Sequence, residues 1–268
     1  ATGSGVRIPH PPQKIMANKN IKQTLIMAGG FGTRLGKDLN PKSCKSLIEY
    51  KGQTLIAHLI DNLKSSGIEN IIIATNKHSH EEILEIAKSK NINPENVIIE
   101  NGELEGKPEY GEVPYKLLNI LENRFLMICG HHVVSEDHIK NMINKAKIYI
   151  NIMSLYKNNL EIDKQTLASE KDLSRLLLDE NNNKLKEIKG EDILSEKEYL
   201  YARNPYILDK DIVKYSHDNN HALPFGEYIL KENKNRNTSI GFVINEAPAE
   251  FDYPFEFEET KKYLDNLN

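Results

Sequence analysis

The chain is poor in cysteine: Cys44 and Cys129 are the only two in 268 residues, far apart and without C-x-x-C spacing. That scarcity argues against a disulfide framework or a cysteine-built structural zinc site, and it fits a reducing compartment. Long apolar runs are also lacking. None approaches the roughly 20 residues that a helix needs to cross a bilayer, and no signal-peptide h-region precedes the first apolar stretch. A soluble, cytoplasmic protein with no membrane partner is therefore expected. There is no basic block or basic helix, and the formal net charge is −4, which argues against nucleic acid as the main partner. Repeats of fixed period are absent. Nothing in the sequence decides against a homo-oligomer.

What is present is 39% hydrophobic and 28% charged residues, enough for one substantial core with a small appended lobe. Residues 1–20 hold Gly3, Gly5, Pro9, Pro11 and Pro12 without periodicity and are expected to be a disordered leader. Residues 21–268 are expected to form a single domain. The spacing predicts a strand at 21–27, a helix at 54–66 with Thr54 as N-cap and Gly67 at its end, a strand at 70–75, a helix at 79–90 and a strand at 97–100. A helix at 113–123, a wholly apolar strand at 125–129, a helix at 135–147 and a strand at 148–155 follow. Beyond Leu155 the pattern weakens: an apolar patch at 173–178, strands at 184–188, 199–208 and 238–244, and helices at 209–217 and 255–267, with Phe257, Tyr263 and Leu264 as anchors of the last. This alternation makes an α/β doubly wound, mostly parallel sheet the economical topology.

The chain is organised around Leu25-Ile26-Met27-Ala28-Gly29-Gly30-Phe31-Gly32-Thr33-Arg34-Leu35-Gly36. The glycines let the backbone pass close to a bulky ligand, and the loop leaves the carboxyl end of a strand, where open α/β sheets bind ligands. Its N–H groups can form an anion nest, and Arg34 adds a planar fork of donors suited to phosphate oxygens. A polyphosphate is the natural guest, although neither G-x-G-x-x-G nor G-x-x-x-x-G-K-[ST] fits.

The stretch resembles the signature A-G-G-x-G-T-R-L, a spacer, then P-K-x-L-x-x-x-x-G-x-x-L-I, of the nucleotidyltransferases that join a nucleoside triphosphate to a sugar or alcohol phosphate. The second half reads Cys44-Lys45-Ser46-Leu47-Ile48-Glu49-Tyr50-Lys51-Gly52-Gln53-Thr54-Leu55-Ile56. Counted back from Gly52, Lys45 takes the family's lysine position, with Cys44 in place of the usual proline; Pro41-Lys42 is a second, lower-ranked assignment. The resemblance implies a Rossmann-like nucleotidyltransferase fold with a small acceptor-side lobe at about 156–240. It implies Ala28, Gly29, Gly30, Gly32, Thr33 and Arg34 at the nucleotide, joined by Gly111 and Glu112 from the segment Glu109-Tyr110-Gly111-Glu112. Arg34 and Lys45 would be the catalytic cations. It also implies a divalent metal, magnesium or manganese, held by two aspartates. Asp252, in Phe251-Asp252-Tyr253-Pro254, matches one of them. Where the other is expected, Cys129-Gly130-His131-His132-Val133 places His131. An imidazole suits manganese, zinc or cobalt better than magnesium, which prefers hard oxygen ligands. Lys189 and Arg203 are candidates for the acceptor phosphate.

The expected function is transfer of a nucleoside monophosphate, from CTP or UTP in the nearest resemblance, to a sugar-, polyol- or inositol-phosphate with release of pyrophosphate. Such an enzyme would serve sugar nucleotide biosynthesis. Two alternatives stand beside it: a nucleotide-binding or regulatory homologue impaired through His131, and a guanylyltransferase of cofactor biosynthesis.

Overall fold

The computed structural model describes residues 20–99, 112–132, 134–157, 174–179, 184–189, 200–219, 226, 228–231, 241–245, 257–258, 260–262 and 265. The strands are β1 (Gln23–Met27), β2 (Glu49–Tyr50), β3 (Gln53–Thr54), β4 (Asn70–Thr75), β5 (Val97–Ile99), β6 (Arg124–Cys129), β7 (Ile152–Lys157), β8 (Ser174–Asp179), β9 (Lys184–Lys189), β10 (Leu200–Asp209) and β11 (Gly241–Asn245). The helices are α1 (Gly36–Leu39), α2 (Leu55–Ser65), α3 (His80–Ser89), α4 (Glu112–Lys116), α5 (Glu136–Lys145) and, after β10, α6 (Lys210–Asp218).

The main sheet runs β11-β7-β10-β6-β1-β4-β5, with the β8–β9 hairpin joined to β10 and β2–β3 forming a separate pair. From β1 the chain steps outward through β4 and β5, then returns to place β6 on the other side of β1. The strand order therefore reverses between β1 and β6, and the crevice beyond their carboxyl ends is where such a sheet receives a ligand. β1, β4, β5 and β6 are parallel neighbours, as are β7 and β11; β10 alone runs antiparallel to both its neighbours on this path. The doubly wound, mostly parallel expectation holds.

Helix α2 shows how the sequence chooses its partner. Thr54 caps it by accepting from the Ala57 N–H, and Leu55, Ile56, Ala57, Leu59, Ile60 and Leu63 are buried on one face. Full burial of such a side chain contributes roughly 1.5–3 kcal/mol. Ile56, Ile60 and Leu63 pack in one cluster with Ile26, Ile73, Ile128 and Ile139. The opposite face of the sheet carries Leu25, Met127, Met153, Leu155 and Leu208 against Ile212 and Val213 of α6.

Several expected boundaries move, each for a local reason. The helix expected at 113–123 stops at Lys116 and continues as turns, because the Gln23 side chain takes the Glu122 N–H and donates to the Ile120 carbonyl at 3.2 Å, tying this segment to β1. The strand expected from 148 begins at Ile152. The carbonyls of Ala146, Tyr149 and Ile150 instead accept the Arg124 guanidinium at 2.6–3.0 Å. Burial lowers the pKa of Arg124, while Asp209 opposes that shift. Of the expected C-terminal helix, Phe257 packs with Leu35, Ile48 and Leu55, and Asp265 accepts from the Tyr50 hydroxyl at 2.7 Å. Tyr263 and Leu264 lie outside the described residues.

Candidate functional site

Three loops leave the carboxyl ends of β1, β4 and β6 and meet over the crevice. The Ala28 N–H bonds the Ala74 carbonyl at 2.7 Å, and the Gly130 N–H bonds the Met27 carbonyl at 2.9 Å. The Asn76 amide donates to the Gly29 carbonyl at 2.9 Å, and its own oxygen accepts the Ser79 N–H at 2.9 Å. The glycine loop is thereby held from both sides. Gly30 is exposed, with no heavy atom of the described residues within 4 Å of where a Cβ would stand.

The loop is also fastened to the second half of the motif. Gly32 has φ +60°, and a Cβ there would lie 2.5 Å from Lys45 Cγ and 2.8 Å from Asn40 Nδ2. Glycine is required twice over, by conformation and by space. The buried Asn40 amide donates to the carbonyls of Phe31 at 2.7 Å and Gly32 at 3.2 Å, while its oxygen accepts the Cys44 N–H at 2.8 Å. One side chain thus clamps the glycine loop to the turn that starts Lys45. Lys45, 7% exposed, is the lysine packed against the loop. Lys42 is exposed and pairs with Glu82. Arg34 stands exposed on the short turn Thr33–Leu35, whose basic residue it is. Burial raises the Cys44 pKa, which keeps the thiol protonated and unsuited to act as a nucleophile.

The β6 loop joins the same unit. A Cβ on Gly130 would lie 2.6 Å from Ser46 Oγ and 3.3 Å from Ala28 Cβ. The next residue, His131, is 8% exposed and lies edge to face with His132, ring centroids 5.2 Å apart. His132 is fixed by Nδ1 to the Asn204 carbonyl at 3.0 Å, and the Tyr156 hydroxyl donates to that same carbonyl. The loop bearing His131 is thus hydrogen-bonded to β10 and lies close against the Ser46 side chain.

Of the other expected site residues, Glu112 pairs with Lys116 on the surface of α4 at 2.5 Å. Lys189 ends β9 and Arg203 lies in β10 where its register against β7 shifts, both described by backbone path. Gly111 and Asp252 lie outside the described residues. Among the described residues no group of three or more His, Cys, Asp and Glu side chains could hold a metal ion. A single imidazole does not make a magnesium site, which needs several hard oxygens. The described residues alone are therefore not a cation cage. Asn40, Asn76, Ser46 and Gly130 were not foreseen. Asn40 carried a signal, as an Asx residue in the Leu-Asn-Pro turn after the loop, and Gly130 stood in the quoted stretch before His131.

Residues 24–96 match the MobA-like NTP transferase domain family. Part of the chain is similar to "Probable mannose-1-phosphate guanylyltransferase 2" of Arabidopsis thaliana, 35% identical over 69 residues, which is 26% of this chain and 18% of that protein. A mannose-1-phosphate guanyltransferase of Neurospora crassa is 39% identical over 54 residues, 20% of this chain and 15% of that protein. The chain thus matches under a fifth of the length of these relatives, in the region that carries the motif. The whole fold is similar to the UDP-glucose pyrophosphorylase complexed with UDP-glucose (TM-score 0.64, 17% identity, 92% of this chain and 100% of that one). It is also similar to the inositol-1-phosphate CTP transferase from T. maritima (TM-score 0.63, 13% identity, 91% and 96%). A CMP:2-keto-3-deoxy-manno-octonic acid synthetase complexed with CTP gives TM-score 0.63 at 13% identity, covering 92% of this chain and 100% of that one. The chain shares the fold of these solved structures, and the family match falls on the segment that carries the glycine loop and Lys45.

Proposed function

We propose that this protein is a nucleotidyltransferase. A phosphate oxygen of a sugar-, polyol- or inositol-phosphate attacks the α-phosphorus of a nucleoside triphosphate, the bond from that phosphorus to the bridging oxygen breaks, and pyrophosphate leaves with the electron pair. The observation that carries this reading is the packing of Gly32 on Lys45, which makes the glycine loop and the motif lysine one rigid unit at the point where the strand order reverses. In such a reaction the protein positions the reactants and stabilises charge rather than supplying a nucleophile. The N–H groups of Gly29, Gly30 and Gly32 would receive phosphate oxygens. Arg34 and Lys45 would offset charge that builds on the α-phosphate and the leaving pyrophosphate. Lys189 and Arg203 would face the acceptor. His131 and Asp252 are the residues that would hold a divalent cation, which when bound neutralises the phosphates.

CTP or UTP is the proposed donor, supported by the CTP and UDP-glucose bound in two of the similar solved structures and by the third being a CTP transferase. GTP is the second reading, because the sequence matches around the glycine loop are to guanylyltransferases. The test is pyrophosphate release with the four triphosphates against a panel of phosphorylated acceptors. Lys45→Ala should reduce turnover far more than nucleotide affinity, since its charge matters most as the transition state forms. Undiminished pyrophosphate release by Lys45→Ala would remove the lysine from the mechanism.

A further inference from the structure

Phe31, at the tip of the glycine loop, contributes little to the core: 41% of its surface is exposed. Exposed aromatics are ordinary on protein surfaces, but this one is held at both ends. Its carbonyl accepts from Asn40 at 2.7 Å. Its ring meets His78, centroids 5.8 Å apart and planes inclined at 62°. Such an edge-to-face contact covers at most one face of the Phe31 ring. His78 is itself exposed and sits in the turn after β4, which Asn76 fixes to Gly29. Beside the ring, no described residue comes within 4 Å of where a Cβ on Gly30 would stand.

The loop therefore offers backbone N–H donors for anionic oxygens and, next to them, an immobilised aromatic face in contact with solvent. A ligand that joins a polyanion to a flat heteroaromatic ring uses both. We propose that Phe31, backed by His78, is the stacking wall for the base of a nucleotide whose phosphates lie along Gly29–Gly32. The proposal rests on the nucleotidyltransferase reading and adds to it which side chains receive the base. Stacking on a side chain tolerates every base because each has a π-face. The wall therefore supplies affinity for nucleosides over bare polyphosphate, and purines, with more ring overlap, gain more from it.

The chain has no tryptophan, so Phe31→Trp installs its single tryptophan at the wall, excited selectively over the tyrosines. Its fluorescence should be quenched by ATP, GTP, CTP and UTP and left unchanged by inorganic tripolyphosphate. Phe31→Ala, checked for native thermal stability, should bind each nucleoside triphosphate roughly 5- to 150-fold more weakly and tripolyphosphate as the native protein does. Nucleoside triphosphate affinity unaltered by Phe31→Ala overturns the wall and leaves the nucleotidyltransferase reading standing. Equal losses for nucleotide and tripolyphosphate also overturn it, because the ring would then act only by shaping the phosphate loop. A native protein that binds no nucleoside triphosphate overturns the underlying reading itself.

Discussion

Gly32 and Gly30 are two residues apart in one loop, yet an added methyl group should have opposite consequences at each. At Gly32 an alanine would enter the left-handed region at φ +60°, at a cost of roughly 1–2 kcal/mol. Its Cβ would also stand 2.5 Å from Lys45 Cγ and 2.8 Å from Asn40 Nδ2, and overpacking of this kind costs typically about 1–3 kcal/mol. The sum, about 3 kcal/mol, corresponds to a fall in Tm of roughly 6–12 °C for a chain of this length. At Gly30 the φ lies outside that region and the methyl meets none of the described residues within 4 Å, so stability should stay within about 0.5 kcal/mol of native. If phosphate oxygens lie against this backbone, Gly30→Ala should still weaken nucleotide binding, by obstructing the ligand and not the fold. Thermal unfolding of both variants with and without each triphosphate reads the two effects separately. A Gly32→Ala protein as stable as native, or a Gly30→Ala protein that loses stability but binds normally, refutes the reasoning.

Burial lowers the pKa of His138 from 6.5 to about 4, and its Nε2 shares a hydrogen bond of 2.8 Å with Ser154 Oγ. The unfolded chain then binds more protons between these values, so the contribution of His138 to stability is intact above pH 6.5 and falls as pH drops through this window. The loss is about 2 kcal/mol between pH 7.5 and 5. Urea unfolding of the native protein and of His138→Gln at those two pH values should show that difference, and parallel pH dependences would remove His138 as its source. For His131, replacement by Asp supplies an oxygen ligand and should raise magnesium-supported turnover relative to the native chain, which should work better with manganese or cobalt. Native activity that is highest with magnesium and falls on replacement by Asp would show that the imidazole is not a substitute ligand.

Much of the fold was legible because burial imposes a period on the sequence. The strand at Asn70–Thr75 was placed to the residue, and α2 and α5 to within a residue or two, since each has a side-chain cap and one buried face. Strand direction leaves no such mark. β10 reads like any apolar strand, but its antiparallel run between β6 and β7 follows from the path the chain takes through β8 and β9. The errors at 113–123 and at 148–151 have a common cause. In both, a polar side chain distant in sequence, Gln23 or Arg124, takes the backbone groups that a helix or strand would have used. Local periodicity cannot register that competition.

The same limit explains which half of the site could be read. The glycine loop and Lys45 are close in sequence, and their spacing records a shared requirement. Gly130 has an equally strict one, but its source is Ser46, whose Oγ would lie 2.6 Å from a Cβ there, and no short motif spans that separation. The contact has a consequence for His131. His131 follows directly on Gly130, and Ser46 follows directly on Lys45, so the side chain next to the motif lysine lies against the glycine that precedes the histidine. The loop carrying His131 is tied on its other side to the Asn204 carbonyl through His132. The imidazole therefore stands on a braced support, and a replacement at position 131 can change the donor atom without freeing the loop that presents it.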